Sequence, residues 1–274
     1  MPGIRFPESS RQFGPPDLTL QLDGLTLRGV SLAARATGFT VEELGIALDL
    51  GRMSPLVAQQ PIVLLTHGHL DHMAAILAYL NLRARFHRDE PPRILAPAAL
   101  TADLCHALSL MPGLEPVRRR LDLEAVFIGV EAGEMYRVGG LEVRAFSVDH
   151  GVPALGWAVG REGARRPDLV YAGDSSTVPF EADPTLLDAR VAVVECTFIE
   201  PNRRVAARLA RHAHIFDWVE VAPRLSCDTL VLAHLPELAA GELARLAASL
   251  ARGLPGDLVL WSPCPDSGPS AGSL

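Results

Sequence analysis

Lysine is missing from this sequence, since all 25 basic residues are arginine. Schiff-base chemistry on a lysine and a phosphate-binding loop built around one are therefore excluded. The four cysteines form no C-x-x-C pair, which argues against a disulfide framework and against a thiolate zinc site. No apolar run reaches the ~18–20 residues of a membrane-spanning helix. The first residues also lack the apolar segment of a secretory signal, so we expect a cytoplasmic protein.

The length of 274 residues allows one large domain or two small ones. Short apolar runs typical of strands alternate with helical stretches, and no change of composition marks a linker. We therefore predict an α/β protein with a single domain over residues 1–274. The ends, 1–16 and 262–274, are rich in Pro, Gly and Ser, and we expect them to be loosely ordered.

Hydrophobic periodicity predicts where the strands and helices lie. The predicted strands are 18–30 (as a hairpin), 45–51, 61–66, 93–96, 123–130, 141–148, 156–159, 169–172, 191–196, 229–233 and 257–261. The predicted helices are 71–86, 97–111, 203–211, 215–222 and 236–251.

A cluster of possible metal ligands follows the predicted strand 61–66. It contains His67, His69, Asp71 and His72, directly before a predicted helix. Imidazoles and carboxylates suit zinc, iron or manganese. Gly68 has no side chain, which lets the loop curl and point its neighbours inward. Any one of these residues alone would more often be structural, but together they predict a metal site.

One short loop cannot complete two coordination spheres, so further ligands must come from other parts of the chain. His150, Asp174 and His234 each come just after an apolar strand. A polar ligand in this place is what a site on the rim of a sheet requires. Each of these residues, taken singly, could equally be a turn residue. Three of them in the same kind of position favour the interpretation that they bind metal.

Several segments resemble a known family. Residues 66–72, T-H-G-H-L-D-H, resemble the H-x-H-x-D-H signature of the metallo-β-lactamase superfamily. This resemblance implies an αββα sandwich, in which two mixed β-sheets are flanked by helices. Residues 44–52, 149–157, 195–198 (an E-x-T-F motif) and 212–215 are similar to segments of short-form ribonuclease Z.

The resemblance implies a hydrolase with two divalent metal ions, zinc by preference and manganese as a substitute. One ion would be held by His67, His69 and His150, the other by Asp71, His72 and His234, with Asp174 bridging the two. A hydroxide between two such ions would attack a phosphodiester. Asp71 would orient the attacking water and accept its proton.

The same resemblance implies a catalytic acid. His212, held by Glu195, would protonate the leaving alkoxide. Asp149 is expected to hold a ligand histidine without binding metal itself. His214 is either a similar neighbour of the site or an ordinary residue at a helix start, and Asp49 could equally be a strand-end cap.

The sequence departs from ribonuclease Z where that family carries a long arm that grips tRNA. Here Asp174 follows His150 by only 24 residues, and the serine and arginine expected after His234 are missing. Because phosphate contacts supply much of nucleic-acid affinity, and the net charge is −7, we expect tRNA to bind poorly. A small phosphodiester or RNA is the expected substrate, no membrane is involved, and the resemblance allows a homodimer.

Two arginine groups, 118–120 and Arg203, Arg204, Arg208 and Arg211, could meet phosphates or simply be solvated helix faces. Other functions also stay open at this point. The same metal centre could hydrolyse another ester class, such as a lactone or a thioester. A non-catalytic binding protein is the third alternative.

Overall fold

The computed structural model of the protein describes residues 17–22, 24–87, 89–236, 245, 248 and 250–262. Its frame is a pair of seven-stranded sheets, one from each half of the chain. The first sheet contains β1 (Leu18–Leu22), β2 (Leu25–Leu32), β3 (Ala36–Val41), β4 (Ile46–Leu48), β5 (Ile62–Leu64), β6 (Arg93–Pro97) and β7 (Phe127–Val130). The second contains β8 (Met135–Val138), β9 (Leu141–Ser147), β10 (Leu155–Arg161), β11 (Leu169–Tyr171), β12 (Val191–Glu195), β13 (Thr229–Ala233) and β14 (Asp257–Leu260).

Helices lie on the outer face of each sheet. Those of the first half are α1 (Pro55–Gln59), α2 (Leu70–Met73), α3 (Ile76–Phe86), α4 (Ala98–Ser109), α5 (Glu115–Arg118) and α6 (Leu123–Val126). Those of the second half are α7 (Val178–Ala182), α8 (Arg204–Ala210) and α9 (Ile215–Val221).

The two sheets have the same pattern of strand pairing. In the first, β1 to β4 pair antiparallel and β4 to β7 pair parallel. In the second, β8 to β11 pair antiparallel and β11 to β14 pair parallel. Parallel neighbours end at the same edge of a sheet, so the residues after β11, β12 and β13 lie side by side.

The alternation of side chains along each strand builds three apolar layers. On β5, Ile62 and Leu64 face the second sheet, whereas Val63 faces the helices. The core between the sheets contains Trp157 and Val193 of the second sheet. A third cluster, which includes Trp218 of α9, covers the outer face of the second sheet. The predicted αββα sandwich is confirmed.

Two predicted elements differ from the structure. The helix predicted over 71–86 is broken between α2 and α3, because the backbone of Leu50 accepts from the N–H of Ala75 and donates to the carbonyl of His72. The strand predicted over 123–130 starts as α6, because the side chain of Asp122 caps the N–H of Glu124 at the helix start. Only Phe127–Val130 is extended.

Some predictions lie wholly or largely outside the described residues. These are the helix predicted over 236–251 and the loose order predicted for 1–16 and 262–274. The single domain over 1–274 stays a prediction as well. Within the described part of the chain, no helix is both long enough and apolar enough to cross a membrane.

Candidate metal centre and active site

The candidate ligands converge where the ends of the strands meet. Residues 67–72 follow β5, and His150 follows β9. Asp174 and His234 follow the parallel strands β11 and β13. Since β12 lies between those two strands, Glu195 at its end joins the same edge. His67 and His234, 167 positions apart in the sequence, follow strands of different sheets, so the packing of the two sheets together with strand pairing brings these residues to one place.

The nitrogen and oxygen atoms of these side chains form overlapping clusters whose members lie within 4.8 Å of one another. One cluster contains His67, His69, His150 and Asp174, and another contains Asp71, His72 and His234. The carboxylate of Asp174 lies between the two. Its Oδ1 is 3.3 Å from His72 Nε2 and 3.6 Å from His234 Nε2, whereas its Oδ2 is 3.9 Å from His67 Nε2.

The residues fit divalent cations, as their unpartnered atoms show. His67 Nε2, His72 Nε2 and Asp174 Oδ1 are buried without a hydrogen-bond partner, an arrangement that costs free energy unless something satisfies it. Nδ1 of His72 lies 2.7 Å from the carboxylate of Asp49, so a neutral imidazole at this position would carry its proton on Nδ1 and present its lone pair at Nε2. This lone pair faces an oxygen of Asp174, so two acceptors point at each other. A cation between them resolves the conflict.

The pKa values of the buried histidines and carboxylates show where the site favours positive charge. Burial, followed by repulsion from His72, lowers the pKa of His67 to about 2. Burial also lowers the pKa of His72, but the carboxylates of Asp174 and Asp49 outweigh it and place that pKa well above the ordinary value. Burial raises the pKa of Asp71, but the contact with the His234 ring and the charge of His72 lower it to about 2. The site therefore stabilises positive charge where its carboxylates meet.

Asp49 is the centre of a hydrogen-bond network beneath the metal ligands. Its buried carboxylate accepts from Thr66 N at 2.7 Å, from Tyr171 Oη at 2.6 Å and from His72 Nδ1 at 2.7 Å. Its backbone has a positive φ of 56°, which a residue with a side chain rarely adopts. The sequence alone did not decide whether Asp49 supports the site or caps the end of a strand. The available signal was a carboxylate at the end of an apolar strand next to the ligand-bearing strand β5.

Two glycines let the loops of the site approach closely. Gly173 has a φ of 62°, and a Cβ there would stand 2.7 Å from Cγ2 of Thr66. A Cβ on Gly51 would stand 1.8 Å from the carbonyl oxygen of Asp71. A larger side chain at either position would push apart the loops that carry Asp174 and Asp71.

A histidine–carboxylate pair adjoins the clusters. His212 Nδ1 lies 2.6 Å from Oε1 of Glu195, which is 2% exposed, whereas the imidazole is 18% exposed. Burial lowers the pKa of His212, but the hydrogen bond and the charge of Glu195 outweigh burial, so that pKa lies above its ordinary value. The His212 ring lies 5.1 Å from that of His150 and 6.1 Å from that of His234. An imidazolium held at this place can donate a proton to a group bound beside the metals.

This arrangement of ligands agrees with a family comparison. Residues 52–235, more than half of the chain, match a family described as a beta-lactamase superfamily domain. The chain belongs to this superfamily. Solved structures agree with the assignment. The metallo-β-lactamase fold protein YhfI from Bacillus subtilis has a TM-score of 0.61 at 17% identity, and the match covers 84% of this chain and 93% of that one.

Within the superfamily, the chain is similar to ribonuclease Z proteins. The tRNase Z TRZ1 of Arabidopsis thaliana is 25% identical over 250 residues, which cover 78% of this chain and 86% of that protein. The nuclear ribonuclease Z of Triticum aestivum is 28% identical over 144 residues, which cover 51% of this chain and 77% of that protein. The structure of the short form of human tRNase Z has a TM-score of 0.57 at 16% identity, and the match covers 94% of this chain and 93% of that one. The predicted resemblance to ribonuclease Z is confirmed.

Two of the predicted neighbours of the metals have other contacts in this superfamily member. The carboxylate of Asp149 accepts from the hydroxyl of Ser176 and lies 3.8 Å from Arg211 Nε. His214 begins α9, where its Nδ1 accepts from Phe216 N at 3.1 Å and its Nε2 donates to the carbonyl of Glu200 at 3.0 Å. Both nitrogens of His214 are thus used to hold the start of the helix.

Two further histidines and two cysteines lie outside the clusters. His106 is exposed and His87 is half-buried at the end of α3. Cys196 and Cys227 are buried, as expected of small apolar side chains. None of these four belongs to a group of potential metal ligands among the described residues.

Proposed function

We propose that this protein is a binuclear metal-dependent phosphodiesterase similar to ribonuclease Z. The observation that carries the proposal is the pair of Glu195 and His212, joined at 2.6 Å beside two clusters of metal-binding groups. Hydrolysis of a lactone or thioester on the same centre is the alternative, but the names of the relatives support the phosphodiesterase. The chain is a hydrolytic enzyme.

The residues divide the chemistry between them. Two divalent ions, when bound by the clusters, supply a cationic clamp for phosphate oxygens and lower the pKa of water. Asp71, with its low pKa, stays ionised and can orient the water and accept its proton. His212 donates its Nδ1–H to Glu195, and the raised pKa of His212 favours the imidazolium, which also carries a proton on Nε2. This nitrogen can donate to the leaving oxygen.

Several finer points belong to the same proposal. We expect zinc as the resident metal, since imidazole and carboxylate ligands suit it, with manganese as a substitute. The cytoplasmic location and the homodimer remain predictions.

The short connection between β10 and β11 bears on the size of the substrate. A turn at residues 162–168 joins the two strands, with Val159 opposite Leu169, so no arm extends from this place. The names of the relatives support RNA as a substrate class, whereas the short turn supports a small phosphodiester over tRNA. A long polyanion must be held by contacts well beyond the metals.

We predict that zinc-loaded protein hydrolyses a chromogenic phosphodiester and cuts a tRNA precursor poorly. The measurement compares kcat/KM for the two substrates side by side, with a lactone and a thioester as further arms. Efficient cleavage of the precursor at one position would show that another surface replaces the arm. Preference for the lactone or thioester, at the same metal content, would overturn the phosphodiesterase.

Only part of the predicted arginine surface faces the site. Arg204 and Arg208 are bound to the carboxylate of Asp217 at 2.6 and 3.2 Å. By contrast, the guanidinium of Arg203 lies 5.2 Å from the centre of the Phe198 ring, which is 6.2 Å from the ring of His212. Of these three arginines, Arg203 is therefore the one placed to meet a phosphate of an RNA substrate. The fourth member of the group, Arg211, donates to the carbonyl oxygen of His150 at 2.9 Å. In the other group, Arg118 and Arg119 are paired with Glu115.

We expect Arg203→Ala to raise KM for a short RNA severalfold with little change in kcat. It should also lower the slope of log affinity against log salt concentration by about one, because one phosphate contact is lost. Arg208→Ala is the matched control, since this arginine is already paired with Asp217. Equal effects of the two substitutions would show that Arg203 has no special contact with the substrate.

A further inference from the structure

Two buried carboxylates each hold two histidines, one directly and the other through a threonine. Asp49 bonds directly to His72 Nδ1, and Glu195 bonds directly to His212 Nδ1, at 2.7 and 2.6 Å. Each carboxylate also accepts both the backbone N–H and the hydroxyl of one threonine. That threonine is Thr66 for Asp49 and Thr197 for Glu195.

The hydroxyl of Thr66 determines which nitrogen of His67 carries the proton. Thr66 Oγ1 lies 2.9 Å from Oδ2 of Asp49 and 3.0 Å from His67 Nδ1. A hydroxyl has one proton, and the carboxylate can only accept. Once the proton is donated to Asp49, the oxygen can only accept from the imidazole. His67 must therefore carry its proton on Nδ1, which leaves the lone pair on Nε2.

Thr197 does the same for His234. Its Oγ1 lies 2.6 Å from Oε2 of Glu195 and 2.9 Å from His234 Nδ1. All the groups that contact the Glu195 carboxylate are donors, namely two backbone N–H groups, the hydroxyl and the imidazole of His212. The hydroxyl proton thus points to Glu195, and the Nδ1–H of His234 points to the hydroxyl. The Nε2 of His234 then faces Asp71 at 3.3 Å.

We propose that Thr66 and Thr197 are positioning residues that fix the tautomers of His67 and His234, so that both present a bare Nε2 to the metals. The proposal rests on the metal assignment of the proposed function. It assigns one threonine to each cluster of ligands, since His67 and His234 belong to different clusters. Loss of either hydroxyl should therefore weaken a different ion. Loss of an outer hydrogen-bond partner typically lowers metal affinity by ~10–100-fold.

The test measures zinc bound per chain in chelator-buffered solutions of increasing free zinc. Thr66→Val and Thr197→Val keep the shape of the side chain but remove the hydroxyl. For each, we expect the free zinc concentration at half-occupancy of one ion to rise ~10–100-fold. Thr66→Ser and Thr197→Ser retain the hydroxyl and should restore binding. If a valine variant does not fold, the alanine variant at the same position replaces it.

Thr177→Val is the matched control. Thr177 is 2% exposed and its hydroxyl donates to a carboxylate, that of Glu181, at 2.6 Å, but it contacts no candidate ligand. This variant should bind zinc like the original protein. A second readout is the imidazole ¹⁵N spectrum before zinc is added, in which the Nδ1–H tautomer of His67 should be lost only in Thr66→Val and that of His234 only in Thr197→Val.

The outcomes separate this proposal from the proposed function. If the unaltered protein binds two zinc ions and both valine variants bind them equally tightly, the tautomer role is wrong while the metal centre stands. If the serine variants lose zinc as the valine variants do, packing rather than the hydroxyl is responsible, and the proposal is overturned. If the unaltered protein binds no zinc, the proposed function itself fails.

Discussion

Replacing His212 with alanine is expected to lower turnover by ~10²–10⁴-fold on phosphodiesters with a poor leaving group. The loss should be much smaller with nitrophenolate, because that oxygen leaves without needing a proton. The metal content should not change, since His212 is proposed to act through Nε2 while Nδ1 is held by Glu195 at 2.6 Å. The measurement is kcat for a series of leaving groups of increasing pKa, together with elemental analysis for zinc.

Three further variants sharpen this result. Glu195→Gln should show the same dependence on the leaving group more weakly in kcat, because the residue orients and charges the imidazole. The metal affinity of Glu195→Gln is measured separately, since Glu195 also holds Thr197.

His214→Ala tests the neighbouring histidine, and His106→Ala is a control on the exposed surface. Equal losses on good and poor leaving groups, or loss of metal from His212→Ala, would remove this residue from the acid role. The second outcome has a structural basis, since His212 also lies within 4.8 Å of ligand atoms of Asp174 and His234.

Replacing Asp174 with alanine is expected to disturb both metal ions. Its Oδ1 faces His72 and His234, whereas its Oδ2 faces His67. We expect about two zinc ions per chain in the original protein, as two-metal hydrolases have, and fewer than one in Asp174→Ala. The activity should fall by more than the ~10–100-fold that is typical of losing an outer hydrogen-bond partner. Elemental analysis after gel filtration checks the stoichiometry.

Asp71→Ala provides the comparison for the bridging role. The Asp71 carboxylate lies 3.7 and 3.3 Å from Nε2 of His72 and His234, and among the described residues it belongs to that cluster of possible ligands alone, so its loss should weaken one ion. Loss of a single ion from Asp174→Ala, with the other bound normally, would show that Asp174 serves one metal. One ion or none in the original protein would contradict the two-metal site as a whole.

The predicted ligands were accessible to sequence analysis because each lies next to a local signal. Residues 67–72 form one uninterrupted motif after an apolar strand, and His150, Asp174 and His234 each follow another. The residue type and the end of the strand are both local properties. Since the carboxyl ends of parallel strands share an edge, such residues meet once the sheets form.

Elements whose structure depends on distant contacts were predicted less well. The helical pattern of 71–86 continues through Ala74, but hydrogen bonds to Leu50, at the end of another strand, divide the helix. The error at Leu123 has a partly local cause. Its apolar character is typical of a strand. It is helical because Asp122 caps the turn and because Leu123 and Val126, three residues apart, pack into the outer core.

The sequence by itself determined the superfamily, the αββα fold and the types of side chain that gather at the strand ends, because these depend on local patterns. Only the tertiary structure decided what Asp49 does, since its partners Thr66, His72 and Tyr171 lie 17, 23 and 122 residues away. It also decided the orientation of the histidine rings. A ring nitrogen bears a proton or a lone pair according to the group that it contacts. For His72 and His234 these groups are Asp49 and Thr197, which lie 23 and 37 residues away and come close only in the folded chain.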